Sequence, residues 1–360
     1  MSVLDDYRRI DGLLEARARD YPRRVEPTWS DLLAAIDDLA ARLREEVEPV
    51  PEPLPGYYGR PIFVVGHRKT GTTLVQELLD GHPQLAVLPG ESNHFNTFLP
   101  RDPERVAADA QSWWLLRLIS PSGIPPFWSL GREPDAYAAF TARLLGLAAA
   151  NPERDVLGMA AVALASGEPR AWVEKTPGHE HRLEQILALY PQARFVHVVR
   201  DPRSVAAAIL RLDRATGRET DVLGVGLTIR RSFEAAERNR GERYLALRYE
   251  DLVADPASAM RRVAELAGID WSDSLLTPTV GGVEATSNSA WSARKVTGEI
   301  ESRRLDLWRE ELDDDAAGLV VAAAGPAARR FGYELAAPGI VAAARAGLRR
   351  ARVGLARRRR

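Results

Sequence analysis

Two periods organise the hydrophobic and polar positions of this chain. Short apolar runs rich in β-branched and aromatic residues occur at 61–65, 85–88, 171–173, 195–199 and 243–249. Each is bounded by glycine, proline or charge, and each predicts a buried strand. Between them the apolar residues recur at helical spacing. Leu74 to Leu79, Ala138 to Ala150, Val156 to Ala165 and Leu183 to Tyr190 predict helices, and further helices are predicted to start at Pro202, after Asp255-Pro256 and near Trp308. Strand runs and helical stripes thus alternate along the chain.

The first 48 residues carry no strand pattern. Val3, Tyr7, Ile10 and Leu14 form one stripe; Leu32, Leu33, Ile36, Leu39, Leu43 and Val47 form a clearer one, with Ser30 placed as its N-cap. Four prolines between Pro49 and Gly56 then predict a stiff connector, since neither a helix nor a central strand tolerates them. The division expected is a helical extension with connector over 1–55, one domain over 56–335 and a basic tail over 336–360.

Composition changes this picture in three places. The chain has 360 residues and no cysteine, which removes disulfides, thiolate metal ligands and thiol nucleophiles together and points to the cytoplasm. No apolar run is long enough to span a bilayer, and the N-terminus lacks the layout of a signal peptide. The net charge of −1 is unevenly spread, because eight arginines and no acid follow from Arg345 to the end. A mildly acidic body argues against a nucleic-acid partner. The tail, which interleaves Ile340, Val341, Leu348, Val353 and Leu355 with arginines, has the pattern of a basic amphipathic helix on an anionic membrane; a solvated basic tail is the other reading.

The chemistry starts at Gly66-His-Arg-Lys-Thr-Gly71-Thr-Thr73. A strand, a glycine-bounded turn and a helix point backbone N–H groups and a helix N-terminus at one spot, which suits a phosphate. The spacing is that of the loop GxxxxGK[ST], except that Thr72 stands where that loop has its lysine and the cation comes three positions earlier, as Lys69. Further on, Glu91 lies just past a predicted strand end, where α/β proteins place ligand chemistry. His94 is a rival proton acceptor, since a neutral imidazole suits that task near pH 7. Glu174-Lys175-Thr176-Pro177 ends another strand in an apparent ion pair and a turn. His179 and His181, two apart and with no third ligand nearby, read as helix-capping residues rather than as a metal site.

These elements resemble the sulfotransferases that use 3′-phosphoadenosine 5′-phosphosulfate. The resemblance rests on the displaced-lysine loop, the glutamate after the second strand, Glu-Lys-Thr-Pro, the strand ending in Arg200-Asp-Pro202, and Tyr249-Glu-Asp-Leu252, and it spans about Arg60 to Trp308. It implies a three-layer αβα fold around a parallel sheet of the P-loop-like sulfotransferase type. It also implies a donor site made by Arg68, Lys69, Thr70, Gly71, Thr72 and Thr73 around the 5′-phosphosulfate, with Arg200 at the 3′-phosphate and Tyr249 near the nucleotide. Glu91 becomes the catalytic base, and Lys69 and Lys175 flank the transferring group. The serine that the family places eight residues after the arginine is Ala208 here, with Ser204 one helical turn earlier as its substitute. Arg294, Lys295, Arg303 and Arg304 match a basic closing loop only loosely.

The function expected is sulfuryl transfer from 3′-phosphoadenosine 5′-phosphosulfate to an acceptor hydroxyl or amine, with no metal. A small-molecule, sugar or lipid acceptor fits, and the aromatic groups Trp113-Trp114 and Phe127-Trp128 either face it or pack helices onto the sheet. Two alternatives stand beside this: a P-loop nucleotide kinase or ATPase, and a non-catalytic nucleotide-binding membrane adaptor.

Overall fold

The five apolar runs meet in one parallel sheet in the computed structural model, which describes residues 38, 41–42, 45, 50–88, 90–98, 134–215, 217–280, 283–284, 305–345 and 347–348. Strands β1 (Pro61–Val65), β2 (Leu85–Val87), β3 (Ala171–Lys175), β4 (Arg194–Val199) and β5 (Tyr244–Arg248) stand in the order β2-β3-β1-β4-β5. β1 is central, with Phe63 in register with Glu174 on one side and Phe195 on the other. The connections after β1 and after β3 leave in opposite directions across the sheet. A crevice outside the carboxyl ends of the strands forms at such a reversal.

Parallel neighbours need crossovers, and helices supply them. Between the strands lie α1 (Thr72–Leu79), α2 (Pro134–Ala150), α3 (Val156–Leu164), α4 (Leu183–Leu189), α5 (Pro202–Ala215) and α6 (Val222–Arg238), and after β5 come α7 (Tyr249–Ala254), α8 (Pro256–Ala267), α9 (Trp308–Glu311) and α10 (Asp314–Ala328). Side-chain carboxylates open several of them: Asp155 caps α3 through Leu157 N, Asp221 caps α6 through Gly224 N, and Asp255 caps α8 through Ser258 N.

The period of two along β1 decides the layers. Phe63 and Val65 face one core with Trp172, Phe195 and residues of α2, α3 and α4. Ile62 and Val64 face another with Val75 and Leu78 of α1 and Met260 and Val263 of α8. A third core joins α5, α6 and α10 beyond the end of β4. The three-layer αβα arrangement is therefore present. Burying one such side chain fully contributes about 1.5–3 kcal/mol. Trp172 is buried with its indole N–H satisfied, donating to Tyr58 O at 2.8 Å.

Outside this sheet, Thr279–Val280 and Val283–Glu284 pair as a short antiparallel ladder. Of the second N-terminal stripe only Asp38, Ala41, Arg42 and Glu45 are described, all helical. The stripe residues themselves, Ser30, the Trp113-Trp114 and Phe127-Trp128 groups, the basic positions 294, 295, 303 and 304, and the tail from Arg349 lie outside the described residues.

Candidate active site

The turn after β1 is a backbone structure held from beneath. Gly66 has φ 144°, and a Cβ there would lie 2.5 Å from Val198 O, so no other residue fits without displacing β4. Its N–H donates to Glu180 Oε2 at 3.3 Å, and the same oxygen accepts from Gly178 N at 2.8 Å. One buried carboxylate thus ties the loop after β1 to the turn after β3. Thr70 folds back through its hydroxyl onto His67 O at 2.7 Å. Lys69 takes φ 71°, a left-handed conformation that costs a non-glycine residue energy and recurs at ligand sites. Gly71 then opens α1, whose first N–H groups have no partner within the helix.

Glu91 and Lys175 meet beside this turn. Lys175 Nζ donates to Glu91 Oε1 at 3.0 Å, with the lysine buried and the carboxylate half-exposed. Burial lowers the Lys69 ammonium from its ordinary value; Glu91 opposes that shift, while Arg68 and Lys175 add to it. The structure therefore brings Lys69, Glu91 and Lys175 within electrostatic reach of one another. Arg68 is exposed, Thr70 and Thr72 are buried, and Thr73 is half-buried at the start of α1.

Arg200, at the end of β4, closes the other side. Its Nη1 donates to Lys69 O at 3.3 Å, and its guanidinium lies 4.2 Å from the centre of the Tyr249 ring. That ring packs on Gly71, where an added Cβ would come within 2.4 Å of Tyr249 Cδ2. Three motifs far apart in sequence therefore converge on the loop. Ser204 is buried on the first turn of α5 and donates to Leu305 O at 2.9 Å, so its hydroxyl proton is committed to the chain just ahead of α9.

Other candidates go elsewhere. His94 is buried, and its Nε2 pairs with Asp155 Oδ1 at 2.9 Å. Asp155 also accepts from Tyr190 Oη at 2.6 Å. Burial works to raise the Asp155 carboxyl, but His94 and Tyr190 hold it below the usual range. The expected Glu174–Lys175 ion pair does not form, because successive strand residues point to opposite faces. Glu174 turns inward, accepting from Ser92 Oγ and Thr176 Oγ1 at 2.5 Å and pairing with His179 Nδ1 at 3.1 Å. His179 is accordingly a buried partner of Glu174 and not a helix cap. Asp201 is ion-paired with Arg203 at 2.6 Å, and Arg203 stacks 4.0 Å over Trp308.

Sequence reasoning missed Gln76, Ser92 and Glu180. The one local signal was a glutamine within the otherwise apolar stripe of α1. Among the described residues no group of acidic, histidine or cysteine side chains is placed to hold a metal ion, and no helix is long and apolar enough to cross a membrane.

Comparison with known proteins agrees with this arrangement. A family model described as "Sulfotransferase family" matches residues 61–273. An omega-hydroxy-beta-dihydromenaquinone-9 sulfotransferase of Mycobacterium bovis is 28% identical over 248 residues, 58% of this chain and 63% of that protein. Human carbohydrate sulfotransferase 3 is 31% identical over 189 residues, 43% of this chain and 38% of that one. The chain thus matches less than two thirds of the length of either relative. Among solved structures, a sulfotransferase domain from the curacin biosynthetic pathway superposes with a TM-score of 0.50 at 19% identity, covering 79% of this chain and all of that domain, a likeness of fold.

Proposed function

As the chain belongs to the sulfotransferase family, we propose that it moves a sulfuryl group from 3′-phosphoadenosine 5′-phosphosulfate to an acceptor hydroxyl, with Glu91 as the base. The observation that carries this reading is the 3.0 Å contact between Lys175 Nζ and Glu91 Oε1 beside the Lys69 loop. An acid and two cations converge where a strand–glycine–helix turn offers backbone donors, and Arg200 supplies a further cation across the loop.

The residues suit that donor. Gly66 and Gly71 occupy positions where a Cβ would collide with neighbouring atoms, which fixes the tight turn that leads into the N-terminus of α1. Lys69, Thr70, Thr72 and Thr73 would line the phosphosulfate. Arg200 would take the 3′-phosphate, helped by Ser204, and Tyr249 would face the nucleotide. Transfer is an in-line displacement: the acceptor oxygen bonds to sulfur as the bond from sulfur to the phosphate oxygen breaks. The acceptor proton passes to Glu91, a role worth on the order of 10²–10⁴ in rate. Lys69 would meet the charge growing on the departing oxygen and Lys175 the sulfuryl oxygens, each worth about 10²–10³. His94 is the less accessible base, because it is buried and its Nε2 is engaged by Asp155.

The kinase reading has less support: position 72 is threonine, and Asp201 is engaged by Arg203. The unit carrying the activity is 56–335. Its acceptor is an alcohol on a small molecule, sugar or lipid; the two relatives act, by their names, on an omega-hydroxy-dihydromenaquinone and on a carbohydrate. The arginine-rich segment after Pro338, with exposed Ile340, Val341 and Leu348, supports a peripheral membrane contact.

The test is thermal stability with adenosine 3′,5′-bisphosphate against ADP and Mg-ATP, followed by consumption of labelled sulfate donor. A ligand at about 100 times its dissociation constant adds about 2.7 kcal/mol, enough to read. Stabilisation by the bisphosphate, lost in Arg200→Ala, is the expected result. Stabilisation by Mg-ATP alone returns the kinase reading, and bisphosphate binding without donor consumption returns the adaptor.

A further inference from the structure

The backbone on both flanks of Glu91 is gripped by buried side chains. Ahead of it, Gln76 Nε2 donates to Leu88 O at 2.6 Å and to Gly90 O at 3.0 Å. Behind it, three consecutive amides end on one cluster. Ser92 N reaches Glu174 Oε1 at 3.3 Å, Asn93 N reaches Thr176 Oγ1 at 3.0 Å, and His94 N reaches Ser92 Oγ at 3.2 Å. Glu174 organises that cluster, since Ser92 Oγ and Thr176 Oγ1 both donate to its Oε1. Gln76, Ser92, Glu174 and Thr176 are all buried.

The two grips start from different parts of the site. Gln76 stands on α1, the helix that begins at the phosphate loop, and Glu174 immediately precedes Lys175 on β3. The short segment carrying Glu91 is therefore tied at once to the loop of Lys69 and to the strand of Lys175. A buried amide whose hydrogens meet two carbonyl oxygens, and a buried carboxylate serving three hydroxyl and amide donors, are costly to build for a surface turn. They are what a proton acceptor needs if it must hold its place within a fraction of an ångström.

We infer that Gln76 and Glu174 are positioning residues for Glu91, acting on the rate through that carboxylate and not through donor binding. This rests on Glu91 being the base. Two variants test it: Gln76→Met keeps the size of the side chain and removes its donors, and Glu174→Gln keeps its shape and removes the charge. Each is made in the natural chain and in Glu91→Gln. Turnover of labelled 3′-phosphoadenosine 5′-phosphosulfate is followed with 1-octanol, octyl glucoside and water as acceptors, and adenosine 3′,5′-bisphosphate affinity is measured by calorimetry.

Each single variant is expected to lose about 10- to 100-fold in kcat, the scale of a small misplacement of a reacting group. Bisphosphate affinity should stay within about threefold, and in the Glu91→Gln background neither variant should cost anything further, since residues acting as one unit are non-additive. Losses that multiply in that background, or bisphosphate affinity that falls in step with kcat, overturn the inference. Unchanged kcat in both variants beside a loss in Glu91→Gln overturns the inference alone. Full turnover in Glu91→Gln, or bisphosphate binding by the natural chain with transfer to none of the three acceptors, removes the base and the inference together.

Discussion

Lys175, the last residue of β3, reaches Glu91 across 84 residues of sequence and donates to it at 3.0 Å. A buried ammonium next to a half-exposed carboxylate can serve two partners in turn. With acceptor absent it neutralises Glu91; with donor bound its remaining protons are available to sulfuryl oxygens. Lys175→Met should therefore lose about 10²–10³ in kcat, the cost of removing one preorganised donor. Bisphosphate affinity should change little, because the bisphosphate lacks the sulfuryl group. Steady-state kinetics beside calorimetry checks the split, and equal losses in both would place Lys175 in nucleotide binding instead.

Arg200 is set differently, between Lys69 O and the face of Tyr249. A hydrogen bond to a charged group contributes about 1.5–3 kcal/mol, so Arg200→Ala should weaken bisphosphate binding about 10- to 150-fold. Arg200→Lys should recover only part of this, since an ammonium neither stacks as a guanidinium does nor offers a planar fork. The bisphosphate lacking its 3′-phosphate, adenosine 5′-phosphate, should be bound equally by both forms. Loss of 5′-phosphate binding as well would move Arg200 to the other end of the nucleotide.

The strands and the motifs on their ends were legible because a buried parallel strand is a local signal: a short apolar run stopped by glycine or charge. What was not legible is where polar side chains go after the strand ends. Glu174 and Lys175 read as a pair because they are adjacent, yet the pleat separates them, one to Ser92 and the other to Glu91. His94 reads as a rival base, and nothing near it in the sequence announces that Asp155, 61 residues away, engages its Nε2. Ser204 is read from its place after Arg200, and nothing near it in the sequence announces that Leu305 O accepts its proton. Hydrogen bonds of that sequence separation leave no periodicity behind them.

Gly66 offers a test of the loop that needs no ligand. Its φ of 144° and the 2.5 Å approach of Val198 O make Gly66→Ala both strained and obstructed. The variant should lose about 1–3 kcal/mol in urea unfolding, the cost of one residue forced into a sparsely populated conformation. An alanine chain as stable as the natural one would mean that the loop leaves β1 by another path.

His197 gives the fold a pH dependence with a definite sign. It is buried between Tyr244 Oη at 2.6 Å and Ser232 Oγ at 3.0 Å, and Ser232 Oγ donates onward to Glu180 Oε1 at 2.8 Å. That direction makes Nε2 the donor and Nδ1 the acceptor, so the ring is satisfied while neutral. Burial lowers its pKa to about 4, with Glu180 opposing the shift. In the unfolded chain the imidazole takes its proton near pH 6.5, so folding stability falls as the pH drops from there towards 4, by about 3 kcal/mol at most. The Glu180 carboxyl, which burial would raise but which His197, His181 and Ser232 hold below its ordinary value, adds its own loss only at lower pH. Urea unfolding of the natural chain and of His197→Gln between pH 7.5 and 4.5 should show a steeper decline for the natural chain. Parallel curves would remove His197 as the cause.

The segment after Pro338 carries the last prediction. Residues 340–345 are helical, and Ile340, Val341 and Leu348 are 88%, 66% and 68% exposed, three of the five large apolar side chains so exposed among the described residues. At 3.6 residues per turn Ile340, Val341, Ala344 and Leu348 share one face, with Arg345 at its edge. The sequence then continues with arginines and without an acid after Glu334. An apolar stripe beside unopposed positive charge is complementary to an anionic bilayer, where each basic residue near the surface contributes about 1 kcal/mol. The natural chain should therefore sediment with phosphatidylglycerol vesicles and not with phosphatidylcholine vesicles, and should be released by salt. Ile340→Asp with Leu348→Asp should abolish this while leaving bisphosphate affinity intact. Binding to heparin that survives the double substitution and competes fully with vesicles would make the segment a general polyanion contact, and equal binding to both vesicle types would remove the electrostatic half of the argument.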